Sequence, residues 1–397
     1  MAALARDSGA EFETASEQVR MLSEKMRPVD KDTDENMGQL LDDLLDEAAD
    51  DVWDYEDFVS DEDRHQNVIR WYGSCLSPSS KPQLGPPKQD VPSHRKSSDV
   101  SIDYAIARAI KKHNHKEFAS FGPIEHALLH WNTKNIEYAL GANVSDLSMK
   151  FWDSDERHAF EGDHVLLRQG YGSVIKHLVT GLVRRGDMFK CVLDYDVEKI
   201  EYARNSSSIP YTSGGSRKLV ELSDTCSVSS RNGKEKLGCD FVVSTLPLGV
   251  LKASVAAQVD TSEVDPKTAG NVTFAPKLPF TKVDSIESTG FGILNKVYLQ
   301  FPRAFWRSRS ILDEGQTLFG NASGLNPHHY MFFDIGKSLG REDDCPAILM
   351  TLISGREAVA CEKLSDDQLV HQVVVTLRKL FFDDMVPTPV AHKVTRW

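Results

Sequence analysis

Cys239-Asp-Phe-Val-Val-Ser-Thr-Leu-Pro-Leu-Gly-Val-Leu-Lys252 is the stretch that decides the fold class. Asp240 opens it, Phe241 to Val243 are a continuous apolar run of β-formers, and Ser244-Thr245 lead to the breakers Pro247 and Gly249. Such a pattern predicts a buried strand running into a tight turn. In α/β sheets, nucleotides bind at strand carboxyl ends of this kind. A second stretch, Phe291-Gly-Ile-Leu-Asn-Lys-Val-Tyr-Leu-Gln-Phe301, alternates. Ile293, Asn295, Val297, Leu299 and Phe301 point one way, and Leu294, Lys296, Tyr298 and Gln300 the other. A single lysine, Lys296, therefore sits inside an otherwise buried-looking strand.

Outward from these stretches, the bulk properties set bounds. A chain of 397 residues has room for two or three domains, and 40% hydrophobic residues suffice for a sizeable core. The formal net charge of −13 argues against sequence-independent DNA binding and is compatible with a basic ligand. Six scattered cysteines (Cys75, Cys191, Cys226, Cys239, Cys345, Cys361) show no CxxC or Cys/His spacing, so no metal is expected and reduced thiols are. Met1-Ala-Ala-Leu-Ala-Arg6 is too short an apolar run for a signal peptide, and no stretch approaches a membrane span.

Residues 1–27 read as a polar, weakly helical leader, and 30–63 as strongly acidic. Leucines 40, 41, 44 and 45 share one helix face within that acidic segment. Residues 76–98 are rich in Pro, Ser and Lys, as in a disordered linker. Helices are expected over 101–112, 124–138, 173–182 and 365–382. Residues 188–202 read as a strand pair, 204–236 as a Ser/Gly-rich surface excursion, and 295–301, 330–335 and 347–354 as sheet strands. No internal repeat is visible.

Several islands carry a resemblance to a known family: Trp131-Asn-Thr-Lys-Asn-Ile-Glu-Tyr138, Trp152-Asp-Ser-Asp-Glu156, Gly162-Asp-His164, Gln169-Gly-Tyr171, Thr245-Leu-Pro-Leu-Gly-Val-Leu-Lys252, Leu294-Asn-Lys-Val297, Phe305-Trp306, Ser354-Gly-Arg-Glu-Ala358 and Val394-Thr-Arg-Trp397. In their joint order they resemble the flavin-dependent amine oxidases, and within them the lysine-specific histone demethylases. The resemblance implies FAD as cofactor, with Val197, Thr245 and Pro247 as cofactor contacts. It implies that Lys296 holds a water beside flavin N5. It also implies that Trp131, Asn135, Tyr138, Asp153, Asp155, Glu156, His164 and Trp397 line a channel for a basic histone-tail peptide. Taken without it, the same residues have plainer readings. Lys296 is a strand lysine reaching solvent. Trp131, Tyr138 and Val197 are core residues, and the acidic group is a solvated loop or helix cap.

The expected architecture is mixed α/β: a partial, Rossmann-like FAD-binding domain joined to an amine-oxidase substrate domain with a mixed sheet flanked by helices. The expected divisions are an acidic helical segment at 1–75, a linker at 76–100, a helical part of the substrate domain at 101–165, the partial FAD-binding domain at 166–252 with its excursion at 204–236, and the sheet-bearing substrate domain at 253–397. The sequence departs from the family in having no GxGxxG strand-turn-helix and no second flavin segment after Val394-Thr-Arg-Trp397, so it resembles the middle of an amine oxidase. No coiled-coil insertion precedes Trp131, and no zinc-finger or SWIRM-like segment is recognisable. The expected activity is oxidation of N-methyl lysine with release of formaldehyde and hydrogen peroxide, in the nucleus and with chromatin complex partners. The alternatives are a polyamine oxidase, and a non-catalytic chromatin interaction protein that retains the substrate half.

Overall fold

The computed structural model describes residues 2–14, 19–53, 99–113, 115–154, 165–202, 226–259, 271–310, 317–324, 328–339 and 345–396. The linker at 76–98, most of the excursion, and the nominated residues Asp155, Glu156, His164 and Trp397 lie outside the described residues. By contact the chain divides into two units: Met1–His177 with Gly292–Trp397, and Leu178–Phe291.

The first unit opens with α1 (Ala2–Asp7), β1 (Phe12–Thr14), β2 (Val19–Ser23), β3 (Arg27–Pro28), α2 (Lys31–Trp53), α3 (Ile102–Lys112), α4 (Pro123–Leu140) and β4 (Val165–Leu167). Helix α5 (Tyr171–Val183) begins in this unit and ends in the second. The second unit holds β5 (Val197–Glu201), β6 (Cys226–Ser230), β7 (Leu237–Cys239), α6 (Leu248–Val259), β8 (Thr273–Ala275) and α7 (Phe280–Ser288). The first unit resumes with β9 (Leu294–Gln300), β10 (Leu318–Asn321), β11 (Met331–Asp334), α8 (Ile335–Leu339), β12 (Ile348–Ser354), α9 (Gly355–Cys361), α10 (Asp366–Leu380) and β13 (Ala391–Val394).

Seven strands of the first unit form a mixed sheet in the order β13-β9-β12-β11-β10-β2-β3. All neighbours are antiparallel except the parallel β10–β2 pair. The alternation of β9 holds. Asn295, Val297 and Leu299 are buried, while Leu294, Lys296 and Tyr298 are half-buried on the other face. The buried face of the sheet packs Val297, Leu299, Phe319, Phe332, Leu349 and Ile353 against Val373, Leu377 and Leu380 of α10. Each such side chain, fully withdrawn from water, contributes roughly 1.5–3 kcal/mol. A capping box starts α10: the Gln368 amide donates to Ser365 Oγ at 3.2 Å, and the Ser365 amide donates to Gln368 Oε1 at 2.9 Å. At one end of this core, buried Asp334 accepts from Trp306 Nε1 at 2.8 Å and from Arg307 Nε at 2.7 Å and Nη2 at 2.6 Å. A carboxylate with no solvent exposure is thereby neutralised by a forked, charge-assisted pair.

The opposite face of the sheet receives α4 through Trp131, Leu128 and Ala127, packed on Met21, Met331 and Tyr330. Helices α2 and α3 pack together beyond it through Leu41, Leu44, Leu45, Ile102 and Ile106. The leucine face of α2 is thus a core face, and its acidic residues at 32, 35, 42, 43, 46 and 50 are exposed, while Asp51 is buried and pairs with Lys112 of α3. The N-terminal stretch corrects the sequence reading. Residues 19–23, expected in a polar leader, form a strand inside the seven-stranded sheet, with Met21 and Leu22 buried. Five residues flanked by polar sequence carry too little periodicity to announce a strand, and the parallel pairing to β10 is a tertiary fact.

In the second unit a four-stranded sheet runs β7-β6-β5-β8, with β5 and β8 parallel. Ile200, Val272 and Phe274 form its core, joined by Val242, Leu246 and Leu251. The expected strand through Asp240–Ser244 is a second correction. Strand β7 ends at Cys239, and the following residues are unpaired. Val242 still turns inward, but Phe241 and Val243 are 73% and 88% exposed. A continuous apolar run needs cover on both faces, and among the described residues of this unit only one face is covered. The expected strand pair at 188–202 reduces to β5, preceded by a short 3-10 turn at Gly186–Met188.

Candidate functional site

Lys296 lies in the third position of β9, between β13 and β12, opposite Leu352. Its backbone is clamped on the β13 side: the Lys296 amide donates to Thr395 Oγ1 at 2.8 Å, and the Thr395 amide donates to the Lys296 carbonyl at 2.9 Å. The side chain is half-buried beside Leu294 and Tyr298 on the face that receives α4, and its ammonium has no hydrogen-bond partner among the described residues. Burial also raises the Tyr298 hydroxyl above its ordinary pKa.

Two glycines set the end of α4 against the start of β9. Gly141 ends the helix in the left-handed region (φ 66°), and a Cβ at Gly292 would stand 2.5 Å from the Gly141 carbonyl oxygen. The Ile293 amide donates to that same carbonyl at 2.8 Å. This crossing fixes the approach of Tyr138, one turn before it, and of Lys296, just after it. Trp131 is buried. Its indole donates to the Tyr330 carbonyl at 2.8 Å, and its ring lies 5.9 Å from the Tyr330 ring. Tyr138 is half-buried, with its ring 6.5 Å from Tyr330. Asn135, expected on the same stripe, is exposed. Gly320 makes room for the indole, because a Cβ there would come within 2.9 Å of Trp131 Nε1.

The sequence reading missed what surrounds this stripe. Lys134 and Glu137, on the same helix, are 6% and 1% exposed and pair at 2.5 Å. Lys134 also reaches Glu357 at 3.3 Å, and Asn143 Nδ2 donates to Glu137 at 3.2 Å and to Glu357 at 3.3 Å. The Val144 amide completes the Glu137 shell at 3.1 Å. Burial pushes the Glu357 carboxyl up, but Lys134, with its own backbone amide, His328 and Asn143, outweighs that and holds it below the ordinary range. His130 carries a buried Nε2 without a partner. Burial, then the neighbouring Lys134, pushes its pKa down to about 4. Tyr330 has a buried, unpartnered hydroxyl whose pKa is raised by burial and then by Tyr138 and Glu137. Lys134 and Glu137 at i,i+3 were a visible local signal. Glu357, more than two hundred residues away, was not.

The other nominated residues are dispersed. Asp153 is exposed in the turns that follow α4. In the second unit, Val197 opens β5 half-buried against the Ile200 core, and Thr245 and Pro247 are exposed in the turn entering α6. For a flavin dinucleotide, that turn and the uncovered Phe241 and Val243 offer an apolar wall with polar edges, which suits an isoalloxazine ring. Among the described residues no glycine-rich strand-to-helix turn stands ready to approach a diphosphate; Gly172, at the start of α5, faces open space. The fit is therefore to the ring end of the group. Two shallow surface hollows, one lined by Leu364, Asp367, Gln368, His371 and Gln372 and the other around Phe381 and Phe382, include none of the nominated residues. Among the described residues no cluster of metal-ligating side chains occurs, and no helix is long and apolar enough to cross a membrane.

Comparison with known proteins supplies the remaining findings. The family model described as flavin containing amine oxidoreductase matches residues 103–397. Lysine-specific histone demethylase 1 homolog 3 of Arabidopsis thaliana is 32% identical over 279 residues, covering 69% of this chain and 14% of that protein. Lysine-specific histone demethylase 2 of Homo sapiens is 28% identical over 304 residues, covering 75% of this chain and 31% of that protein. The chain thus spans less than a third of the length of either relative. Among solved structures, putrescine oxidase bound to putrescine superposes with a TM-score of 0.55 at 14% identity, over all of this chain and 71% of that one. Cyclohexylamine oxidase from Brevibacterium oxydans gives 0.53 at 13%, over all of this chain and 70% of that one. At these identities the structures speak to fold.

Proposed function

Since the chain belongs to the family of flavin-containing amine oxidoreductases, we propose that it contributes the substrate-binding and lysine-bearing part of an FAD-dependent oxidase acting on N-methyl lysine in a histone tail. Lys296 on a half-buried sheet face supports this reading most directly, because the resemblance assigns it a role and its burial gives it a reason to be there. When bound, the flavin supplies the two-electron oxidation of the carbon beside the amine nitrogen. The chain's own residues do the rest. Val197, Thr245 and Pro247 bear on the cofactor. The Lys296 ammonium donates to a water and holds it in place. Tyr138 and Trp131 keep that face of the sheet apolar and dry, which favours a neutral amine over an ammonium. Asp153, Asp155, Glu156 and His164 receive the cationic peptide, consistent with the chain's charge of −13. Formaldehyde and hydrogen peroxide are the products, and the setting is nuclear.

A second reading has its own observation. With no GxGxxG anywhere in the 397 residues, the polypeptide taken alone serves as a histone-binding module. Purified protein separates the two. A flavin absorbance spectrum together with peroxide and formaldehyde from a dimethyl-lysine histone peptide, but not from spermine, supports the demethylase. Peroxide from spermine alone supports a polyamine oxidase. A colourless preparation that binds the peptide supports the module. In a flavin-bearing preparation, Lys296→Met is expected to slow oxidation at least about tenfold; unchanged turnover removes Lys296 from the mechanism.

A further inference from the structure

We propose that Cys226 and Cys239 are a redox modification site: a cross-strand thiol pair that hydrogen peroxide closes into a disulfide and cellular thiols reopen. Strands β6 and β7 are antiparallel, and their register sets Cys226 directly opposite Cys239, followed by Ser227 opposite Gly238 and Val228 opposite Leu237. Residues directly opposite in an antiparallel ladder share a face, with Cα atoms about 4.5–5.5 Å apart. A disulfide spans Cα separations of about 4.4–6.8 Å, so the Cα spacing of directly opposite residues suits the bond, which forms when both side chains rotate toward each other and the strands draw slightly closer. Each sulfur already leans across the ladder. Cys239 Sγ lies 3.7 Å from the Cys226 carbonyl oxygen, and Cys226 Sγ lies 3.8 Å from the carbonyl oxygen of Asp240, the residue after Cys239. Both residues are half-buried, open to a small oxidant, and free thiols.

Burial, then the neighbouring Cys226 sulfur, then Asp240, raise the Cys239 thiol above its ordinary pKa, which slows its own attack on an oxidant and suits it to the resolving role. The Cys226 thiolate displaces one oxygen of peroxide as water and becomes a sulfenic acid. The Cys239 sulfur attacks it, the S–S bond forms, and the second oxygen leaves as water. Two thiols are oxidised, one peroxide is reduced, and two waters leave. Peroxide as a product of this chain's own chemistry rests on the reading above; the site itself does not.

The location gives the bond a consequence. Cys226 opens β6 and Cys239 closes β7, so the staple lies at the open end of the hairpin, opposite its turn at 231–236. Cys239 leads directly into the unpaired Phe241–Val243 run and the Thr245–Pro247 turn. Oxidation ties the root of that run to the sheet.

The test uses the full chain with added hydrogen peroxide, so it needs no oxidase activity. After treatment, remaining thiols are blocked with iodoacetamide and the protein is digested without reductant for mass spectrometry. A cross-linked peptide pair containing positions 226 and 239, two hydrogens lighter than the sum and released by dithiothreitol, is expected. Labelling of both cysteines should fall together by more than about fivefold, as the geometry requires a one-to-one bond. In Cys226→Ser, Cys239 should instead retain its iodoacetamide label. The proposal is overturned if both cysteines remain labelled after peroxide, if each proceeds singly to sulfinic acid, or if either is linked to Cys75, Cys191, Cys345 or Cys361. The peptide map of the unsubstituted chain decides this even where the serine variant does not fold.

Discussion

Replacing Lys134 by methionine tests the least expected feature of the first unit. The substitution keeps the aliphatic stem and removes one positive charge from a site where Glu137 is 1% exposed and Glu357 lies 3.3 Å from the ammonium. At an effective dielectric of about 20, an ion pair at 4 Å is worth roughly 4 kcal/mol, and the Lys134–Glu137 separation is shorter, at 2.5 Å. Part of that attraction repays the cost of burying the lysine, which the methionine no longer incurs. Glu137 retains two donors, Asn143 Nδ2 and the Val144 amide, and Glu357 is partly solvated. The remaining cost is that of a buried carboxylate without a counter-charge, about 3–5 kcal/mol. For a unit of this size that corresponds to a fall in Tm of roughly 5–8 °C. Urea unfolding followed by tryptophan fluorescence reads it directly, since Trp131 sits one turn away on the same helix. The double variant Lys134→Met/Glu137→Gln should recover more than about 1 kcal/mol of the loss, because it removes the stranded charge as well. The deficit of the single variant should also shrink in acid, where the isolated carboxyl takes up a proton. A single variant within about 1 kcal/mol of the parent, with no recovery in the double, would show that water screens the cluster and that the reasoning is wrong.

Two further perturbations follow from the same unit. His130 and His329 have folded pKa values pushed down to about 4 and about 3, against about 6.5 unfolded. The unfolded chain therefore binds more protons in acid, and stability present above pH 6.5 is lost at about 1.4 kcal/mol per pH unit per histidine as the pH falls toward those values. Urea midpoints at pH 7.5 and 5.0 should differ accordingly, and His130→Gln/His329→Gln should flatten the difference; a parent whose midpoint does not move contradicts the burial of the His329 ring and of His130 Nε2. Glycine substitutions should act with opposite signs. Gly292→Ala drives a methyl into the Gly141 carbonyl and should cost about 1–3 kcal/mol, whereas Gly38→Ala, in open space within α2, should stabilise by about 0.5–1 kcal/mol. Thermal melts of both variants check the pair.

The helices and central strands were legible because their periodicity is long and clean. The Leu369, Val373, Val374, Leu377 and Leu380 stripe of α10 and the alternation of β9 are each set by one dominant burial face. Strand β2 was not, because its burial depends on a parallel partner three hundred residues away. The Phe241–Val243 run misled for the opposite reason. Its composition asks for a two-sided environment, and the second side is not among the described residues. At the candidate site, Lys296 stood out as a charge within an apolar pattern. The Lys134–Glu137–Glu357 cluster did not, because a charged pair on a helix ordinarily means a solvated face, and only the fold reveals it buried.

What holds Lys296 in place is the face it does not belong to. A strand has period two, so a slip of one residue in β9 would carry Lys296 into the packing against α10 and turn Val297 outward. The first change buries an ammonium among Leu349, Phe332 and Leu377, none of which can accept a hydrogen bond. The second exposes a valine that is 1% accessible. Both carry costs of several kcal/mol. The Gly141–Gly292 crossing at one end and the reciprocal Lys296–Thr395 bonds on the β13 side fix the same register from the backbone. The position of the one chemically distinctive side chain is thus written in the apolar residues that alternate with it. Substitutions at Val297 or Leu299 should then disturb any Lys296-dependent rate without touching the lysine, and to the extent that they loosen the strand.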